Sequence, residues 1–420
     1  MSIARSKGTN DIFFDEIKIW EYLEKNISEI CNKRNMCQIR TPVFEDTSLF
    51  CRSVGNDTDV VSKEMYTFLD KGGRSITLRP ELTAGVVRAY IENGFSSMPS
   101  PIKLWYIGNM YRYEKMQKGR YREFTQYGIE VLGSDSYLAD MEVICTGVEL
   151  FKKLNLWDKL TLKINSIGCK ECRAKYIEVL RGYLKNDIEN MCEDCQRRYI
   201  KNPMRIIDCK QEKCKKYKEN IPMITDYLCD DCKKDFESLK KALRDINVEF
   251  EVDKTIVRGL DYYNKTVFEF ESKDLNIAVG GGGRYDTLVE LLDGIHTPAV
   301  GYALGMNRII LLLKEYNLYK EEKNIDIYFT LFDSNNYVKI FNIVNTLRDR
   351  GYIVDIDICN KSFKAQMKYA NKINAKNICI IGDDEIENNT CQLKSMKTSE
   401  QCELKLDTDV IDNFLKGGKI

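Results

Sequence analysis

Residues 105–130 read WYIGNMYRYEKMQKGRYREFTQYGIE, two strand-like runs joined by a basic, glycine-containing loop. Successive side chains of a strand point to opposite faces. Tyr106, Gly108, Met110, Arg112 and Glu114 therefore share one side of the first run, and Arg122, Phe124, Gln126, Gly128 and Glu130 share one side of the second. A hairpin turned through 115–119 sets Arg112 opposite the row from Phe124 to Glu130, with Lys118, Arg120 and Arg122 at the rim. Such a face suits a flat base and an anion. Arg offers a planar fork for phosphate or carboxylate, Phe124 a stacking surface, and Gln126 with Glu130 can hydrogen-bond an ammonium or imidazole. The same alternation also describes a solvated face of an antiparallel sheet, so the rest of the chain has to decide.

A chain of 420 residues is too long for one ordinary core, and about two or three domains are expected. Its 43% hydrophobic and 30% charged residues describe a soluble globular protein. The longest apolar runs, such as 309–313, are far too short to span a bilayer. Charges at Arg5, Lys7 and Asp11 interrupt the apolar stretch that a secretion signal needs, so a cytoplasmic location without a membrane segment is expected. With a formal net charge of +0, a polyanion partner has to be held by local basic patches, and RNA is not excluded.

The chain has sixteen cysteines. Cys31, Cys37, Cys51, Cys145, Cys359, Cys379, Cys391 and Cys402 are scattered and read as reduced thiols of the interior. The others fall in pairs within one segment: Cys169 with Cys172, Cys192 with Cys195, Cys209 with Cys214, and Cys229 with Cys232. A short turn can aim two sulfurs at one tetrahedral ion, so four pairs match two Zn²⁺ sites of four thiolates each. Which pair joins which is open, and reduced thiols without metal are the alternative. No water-activating residue stands beside them, so a structural metal is expected and a catalytic one is not.

Around that segment the periodicity changes. A helix is expected over 14–35, a strand over 38–42, a connector over 44–54, and a hairpin with strands 65–69 and 75–78 turned at Lys71, Gly72 and Gly73. The Cys-rich block is helical in pattern, with few strand signals. Strand patterns return at 257–270 and 275–279, followed by the glycine run Gly280 to Gly283 and a helix over 285–292, as if an interrupted domain resumed. After the charged stretch 314–323, alternating strands (326–330, 353–357, 377–382) and helices (337–350, 362–373) describe a small α/β domain. The expected organisation is a domain in two parts, 1–167 and 249–323, an inserted domain, 168–248, and a C-terminal domain, 324–420.

Further clusters carry chemistry. Pro80, Glu81 and Thr83 place a carboxylate and a hydroxyl at a helix start, which is also where such residues serve only as caps. Arg258, Asp261, Tyr262 and Tyr263 pack a cation, an acid and two phenols into one short stretch that suits a small polar ligand. Gly280 to Arg284 can bring backbone close to a ligand, or simply bend. The stretch 301–308 is expected to start an apolar helix with Arg308 near its first turn, where small residues permit close packing on a nucleotide.

Taken together these residues resemble histidyl-tRNA synthetase, a class II aminoacyl-tRNA synthetase, over essentially the whole chain and in order. The stretch 39–42 resembles the family's dimer-forming first motif, 111–124 its second and 301–308 its third; 258–263 and 281–286 resemble its histidine-site signatures. The resemblance implies an α+β fold: an antiparallel catalytic sheet, an insertion, and a C-terminal α/β anticodon-binding domain. It implies ATP-dependent formation of histidyl-adenylate and transfer to tRNA(His) by a homodimer that uses Mg²⁺. Arg112 and Arg258 are then the catalytic cations. Glu81 and Thr83 hold the histidine ammonium, Gln126 lies along the amino acid, Glu130 and Tyr263 address the imidazole, and Tyr262 and Tyr285 complete the site. Arg112, Glu114, Arg120, Phe124 and Arg308 bind ATP, and Gln117 and Arg122 meet the tRNA acceptor end. Asn307 departs from the Glu that many members carry before the third-motif Arg. A different reading is the family's catalytically silent paralogue, a regulatory subunit of ATP phosphoribosyltransferase, which lacks the C-terminal domain and signature residues present here.

Overall fold

The quoted stretch is a hairpin. Strands Ile102–Tyr111 and Glu123–Leu132 pair antiparallel, with Tyr106 opposite Gly128, Gly108 opposite Gln126 and Met110 opposite Phe124. The alternation divides the second strand cleanly. Tyr127, Ile129 and Val131 enter the largest hydrophobic core, while Phe124, Gln126, Gly128 and Glu130 occupy the other face. This hairpin supplies the second and third strands of an eight-stranded sheet ordered Cys37–Gln38, Ile102–Tyr111, Glu123–Leu132, Ala299–Gly305, Ala278–Arg284, Asn264–Ser272, Leu160–Ser166 and Glu251–Val252. The outermost pairing at each end is parallel and the rest are antiparallel.

This computed structural model describes residues 3–55, 58–275, 277–319, 325–332 and 337–417. Two units, Met1–Tyr319 and Lys320–Ile420, are separately folded. In the first, helix Asp15–Lys33 carries acids in its first turn and Lys33 in its last, matching the helix dipole, and buries Trp20, Leu23, Ile27 and Ile30 against the sheet. Helices Tyr137–Lys153 and Met306–Glu315 cover the same face. Residues 168–248 contain no strand among the described residues. They share the cores of this unit: Phe236, Leu239 and Leu243 join the large core, and Tyr176, Leu180 and Leu184 join the cluster on the opposite side.

The second unit has a five-stranded sheet ordered Val354–Ile356, Ile325–Leu331, Ala375–Ile381, Thr390–Ser395 and Gln401–Lys405, the first three parallel. Helices Tyr337–Asp349 and Phe363–Lys372 lie where the pattern puts them. The last two strands and helix Thr408–Leu415 were not anticipated, and the boundary expected near residue 324 lies outside the described residues.

Several expected elements differ. The connector 44–54 is a strand, Phe44–Asp46, and a helix, Thr47–Val54, capped by the Asp46 carboxylate accepting from Ser48 N–H. Residues 257–263 are irregular instead of a strand, because this stretch has no ladder partner on either side. The glycine run is itself the strand Ala278–Arg284, and the helix after it shrinks to Leu288–Leu291. Ala299–Gly305 is a strand leading into the helix Met306–Glu315, so the helix expected from Gly301 starts later.

Candidate active site

On the face of the sheet away from the large core, five separate segments line one cavity. Glu81 and Thr83 come from the start of helix Thr83–Glu92, Arg112, Glu114 and Arg120 from the hairpin loop, and Phe124 and Gln126 from its second strand. Arg258, Tyr262 and Tyr263 come from the irregular stretch, and Arg308 from the first turn of helix Met306–Glu315. Arg112 and Arg258 thus meet at the same cavity although 146 residues separate them in sequence (258 minus 112).

Each cation is fixed in its own way. Arg112 donates from Nε to the Pro80 carbonyl at 2.8 Å, lies 5.4 Å from the Phe124 ring centroid and pairs with Glu114 at 3.6 Å. Arg258 pairs with Glu269 through Nη1, while its Nε is buried without a partner among the described residues. Burial works against its charge, but Glu269 holds the guanidinium protonated and above its ordinary range. Arg308 donates to the Ala278 carbonyl. Burial pushes its guanidinium down, and the positive neighbours Arg120 and Arg112 push the same way. A cavity lined by four guanidinium groups, those of Arg112, Arg120, Arg258 and Arg308, is electrostatically prepared for a polyanion.

The acidic wall is layered. Glu81 caps its helix, accepting from Thr83 N–H at 2.7 Å and Ala84 N–H at 2.9 Å, so it is both a cap and a cavity residue. Burial raises its carboxyl above the usual range. Glu130 lies behind the lining residues. Thr83 Oγ1 donates to it at 2.7 Å, Tyr106 Oη at 3.2 Å, and Tyr285 Oη donates to its other oxygen. Burial pushes Glu130 up to about 8, the nearby Glu81 adds to the rise, and the Tyr285 and Thr83 hydrogen bonds oppose it. Gly301 makes this position possible, since a Cβ there would sit 1.8 Å from Glu130 Oε2. Gly281 does the same for Arg258: it faces Glu269 across the ladder, and a Cβ would sit 3.0 Å from Arg258 Nη1 and 2.2 Å from the Phe268 carbonyl.

Four expected site residues are not part of the lining. Glu130 and Tyr285 form the layer just described. Gln117 closes the hairpin loop by backbone bonds with Arg120, and Arg122 places its guanidinium 3.7 Å from the Tyr113 ring centroid. Gln126 lines the cavity with Oε1 buried and unpaired among the described residues, an acceptor awaiting a donor. Three supporting residues have no site role assigned from the sequence: Tyr106 beneath Glu130, Glu269 beside Arg258, and Asn307, whose Oδ1 accepts from Thr125 N–H at 2.9 Å. Tyr106 is legible from strand alternation, and Glu269 is an acid set between the buried Phe268 and Phe270.

The clustered cysteines gather as two groups, Cys169, Cys172, Cys229 and Cys232, and Cys192, Cys195, Cys209 and Cys214. Within each group all sulfur atoms lie within 4.8 Å of one another.

Comparison with known proteins settles the family. A family model described as Histidyl-tRNA synthetase matches residues 8–309, and one described as Anticodon binding domain matches 334–415. The chain belongs to the histidyl-tRNA synthetase family. It is 49% identical to the histidine–tRNA ligase of Acetivibrio thermocellus over 407 residues, covering 96% of this chain and 97% of that one. The crystal structure of apo S. aureus histidyl-tRNA synthetase superposes with a TM-score of 0.83 at 37% identity, covering 99% of each chain. A Bacillus halodurans ATP phosphoribosyltransferase regulatory subunit/histidyl-tRNA synthetase shares the fold, with a TM-score of 0.63 at 19% identity over 91% of this chain and 99% of that one. The sheet, the helical Cys-bearing insertion and the C-terminal anticodon-binding unit are thus the α+β architecture of a class II synthetase. No described helix is long and apolar enough to cross a membrane.

Proposed function

We propose that this chain is a histidine–tRNA ligase: it activates L-histidine with ATP and transfers it to the 3′ end of tRNA(His). The observation that carries the reading is the convergence of Arg112 and Arg258 on one cavity whose acidic side is Glu81, backed by Glu130. A zwitterionic amino acid lies naturally across such a cavity, with its ammonium toward Glu81 and Thr83 and its carboxylate toward Arg112. Gln126 Oε1 accepts from the amino acid. Tyr262 and Tyr263 flank the side chain, and Glu130 orients the hydroxyls of Thr83 and Tyr285 at the imidazole end through its hydrogen bonds to them.

ATP occupies the cationic side. Phe124 and Arg308 sandwich adenine, Arg120 holds the outer phosphates, and Arg112 bridges the histidine carboxylate and the α-phosphate. A carboxylate oxygen attacks the α-phosphorus, the bond to the β-phosphate bridging oxygen breaks, and pyrophosphate leaves with its electron pair. Arg258 stabilises the charge that builds on the α-phosphate. Glu114, a hard oxygen donor between Arg112 and Arg120, would hold Mg²⁺, which when bound would supply neutralisation of the leaving group's charge. A terminal ribose hydroxyl then attacks the acyl carbon and AMP departs. Gln117 and Arg122 contact the acceptor end.

The functional unit is a cytoplasmic homodimer. Val43, Phe44, Phe68 and Leu69, on or beside the small sheet Phe44–Asp46, Ser75–Leu78, Tyr66–Leu69, are all exposed and beside the first motif, as a self-complementary interface requires. Histidine-dependent exchange of pyrophosphate into ATP tests the reading. Exchange with histidine alone among the standard amino acids supports it. No exchange, together with binding to ATP phosphoribosyltransferase, would transfer the chain to the regulatory class.

A further inference from the structure

We propose that the insertion is built on two zinc centres, one nested inside the other, and that they brace the loop presenting Arg258, Tyr262 and Tyr263 to the cavity. The structure resolves the pairing that spacing leaves open. Cys169 and Cys172 join Cys229 and Cys232 across 57 residues, and within that span Cys192 and Cys195 join Cys209 and Cys214 across 22.

The geometry is that of metal ligands. A tetrahedral zinc with Zn–S near 2.3 Å has sulfur–sulfur edges of about 3.8 Å. Cys169 and Cys172 stand 3.5 Å apart and Cys192 and Cys209 3.7 Å apart, near that edge, and all eight are free thiols. Backbone N–H groups point at the sulfurs, Cys229 N to Cys172 Sγ at 3.1 Å and Cys192 N to Cys214 Sγ at 3.3 Å, as suits sulfur bearing negative charge. Cys169, Cys192 and Cys229 each immediately precede a helix whose first turn carries the second cysteine of its pair, Cys172, Cys195 and Cys232. Thiols alone are weak hydrogen-bonding groups and hold a fold poorly, whereas a bound metal converts the same eight side chains into folding free energy.

Both centres adjoin the active-site loop. Arg173, next to Cys172, donates to the Tyr263 carbonyl at 3.0 Å, and the Gly168 carbonyl, next to Cys169, accepts from Lys265 N–H at 2.9 Å. Between Cys195 and Cys209, Asn202 Nδ2 donates to Asp261 at 2.9 Å and Arg205 to the Gly259 carbonyl at 2.8 Å. The stretch 257–263 has no regular structure of its own, so these bonds from outside set where Arg258 points.

Elemental analysis of the full-length protein, purified without chelator, is expected to give two zinc ions per chain. Cys169→Ser and Cys214→Ser should each lose one, and Cys169→His, which restores a zinc ligand, should regain it. Zinc-free wild-type protein in which all eight thiols react at once with a thiol reagent overturns the metal centres. The bracing rests on the ligase reading, and its readout is separate: removing zinc from the wild-type enzyme with a chelator lowers kcat of histidine-dependent exchange about 10- to 100-fold, restored by zinc. Zinc loss with unchanged exchange overturns the bracing alone. An inactive protein that contains both ions overturns the ligase reading and leaves the centres standing.

Discussion

Arg112 and Arg258 reach the same cavity by opposite means. Arg112 stands one residue beyond a strand, and the ladder continues through it, with its N–H donating to the Arg122 carbonyl at 2.9 Å and its Nε to Pro80. Arg258 sits in a stretch without helix or strand and is positioned by Glu269 from a neighbouring strand and by Arg173, Asn202 and Arg205 from the insertion. One cation is placed by the hairpin ladder and the Pro80 carbonyl, the other by side chains from the insertion and a neighbouring strand. Disturbances in the insertion should therefore register at Arg258 and leave Arg112 untouched.

The largest effect tests whether the two are equivalent in chemistry despite that difference. Arg258→Ala and Arg112→Ala are each expected to lower histidine-dependent pyrophosphate exchange at least about 100- to 1000-fold, the loss typical of a charged group facing a transition-state anion. The circular dichroism spectrum should stay that of the wild type in both. Wild-type exchange in Arg258→Ala would refute its role at the α-phosphate.

A smaller effect sharpens the asymmetry. Arg205→Ala removes the bond to the Gly259 carbonyl without touching the cavity, so kcat for exchange should fall about tenfold through mispositioning. Lys118→Ala, at the rim of the hairpin loop in an exposed pair with Glu315, should change exchange by less than about twofold. If both variants behave alike, the support of the two cations is not different after all.

The same contrast explains what could be read from the sequence. The hairpin was legible because strand alternation assigns the side chains of 105–111 and 123–130 to faces, and the register keeps that assignment. The stretch 257–263 was legible as chemistry but not as structure. Its aromatic and β-branched residues have strand character, yet no neighbouring edge takes them up. Glycines misled in the other direction: Gly280 to Gly283 are a strand paired on both sides, and they are glycine because opposing backbone and the Arg258 side chain leave no room for Cβ atoms, a tertiary reason invisible in a single sequence. The layer behind the cavity was half legible. Glu130 lies on the expected face, but its enclosure by Thr83, Tyr106 and Tyr285 depends on three segments meeting.

That enclosure predicts a pH dependence. Glu130 is held near 8 in the folded chain and titrates near 4.5 when unfolded, so the native state keeps a proton that the unfolded state releases. Its stability contribution is full below about 4.5 and is lost as pH rises through about 8. Thermal melts of the ligand-free protein should decline between pH 5 and 8 more steeply in the wild type than in Glu130→Gln, which cannot ionise. Parallel curves would mean that Glu130 is already ionised in the fold, making it a permanent anion instead of a proton-holding one.

The smallest effect concerns Asn307, the residue before Arg308. Its Oδ1 accepts from Thr125 N–H at 2.9 Å and so pins the first turn of helix Met306–Glu315 to the strand that carries Phe124. Neighbours on either side, Arg308 and Phe124, are the pair proposed to enclose adenine, which makes this bond a spacer for the base. Asn307→Ala removes one neutral acceptor and should cost about 1 kcal/mol of stability. Loosening the spacer should raise KM for ATP while leaving KM for histidine unchanged, whereas Asn307→Asp, which keeps an acceptor oxygen, should restore ATP affinity. An equal rise in both KM values would place Asn307 with the general packing of the sheet and separate it from the nucleotide side.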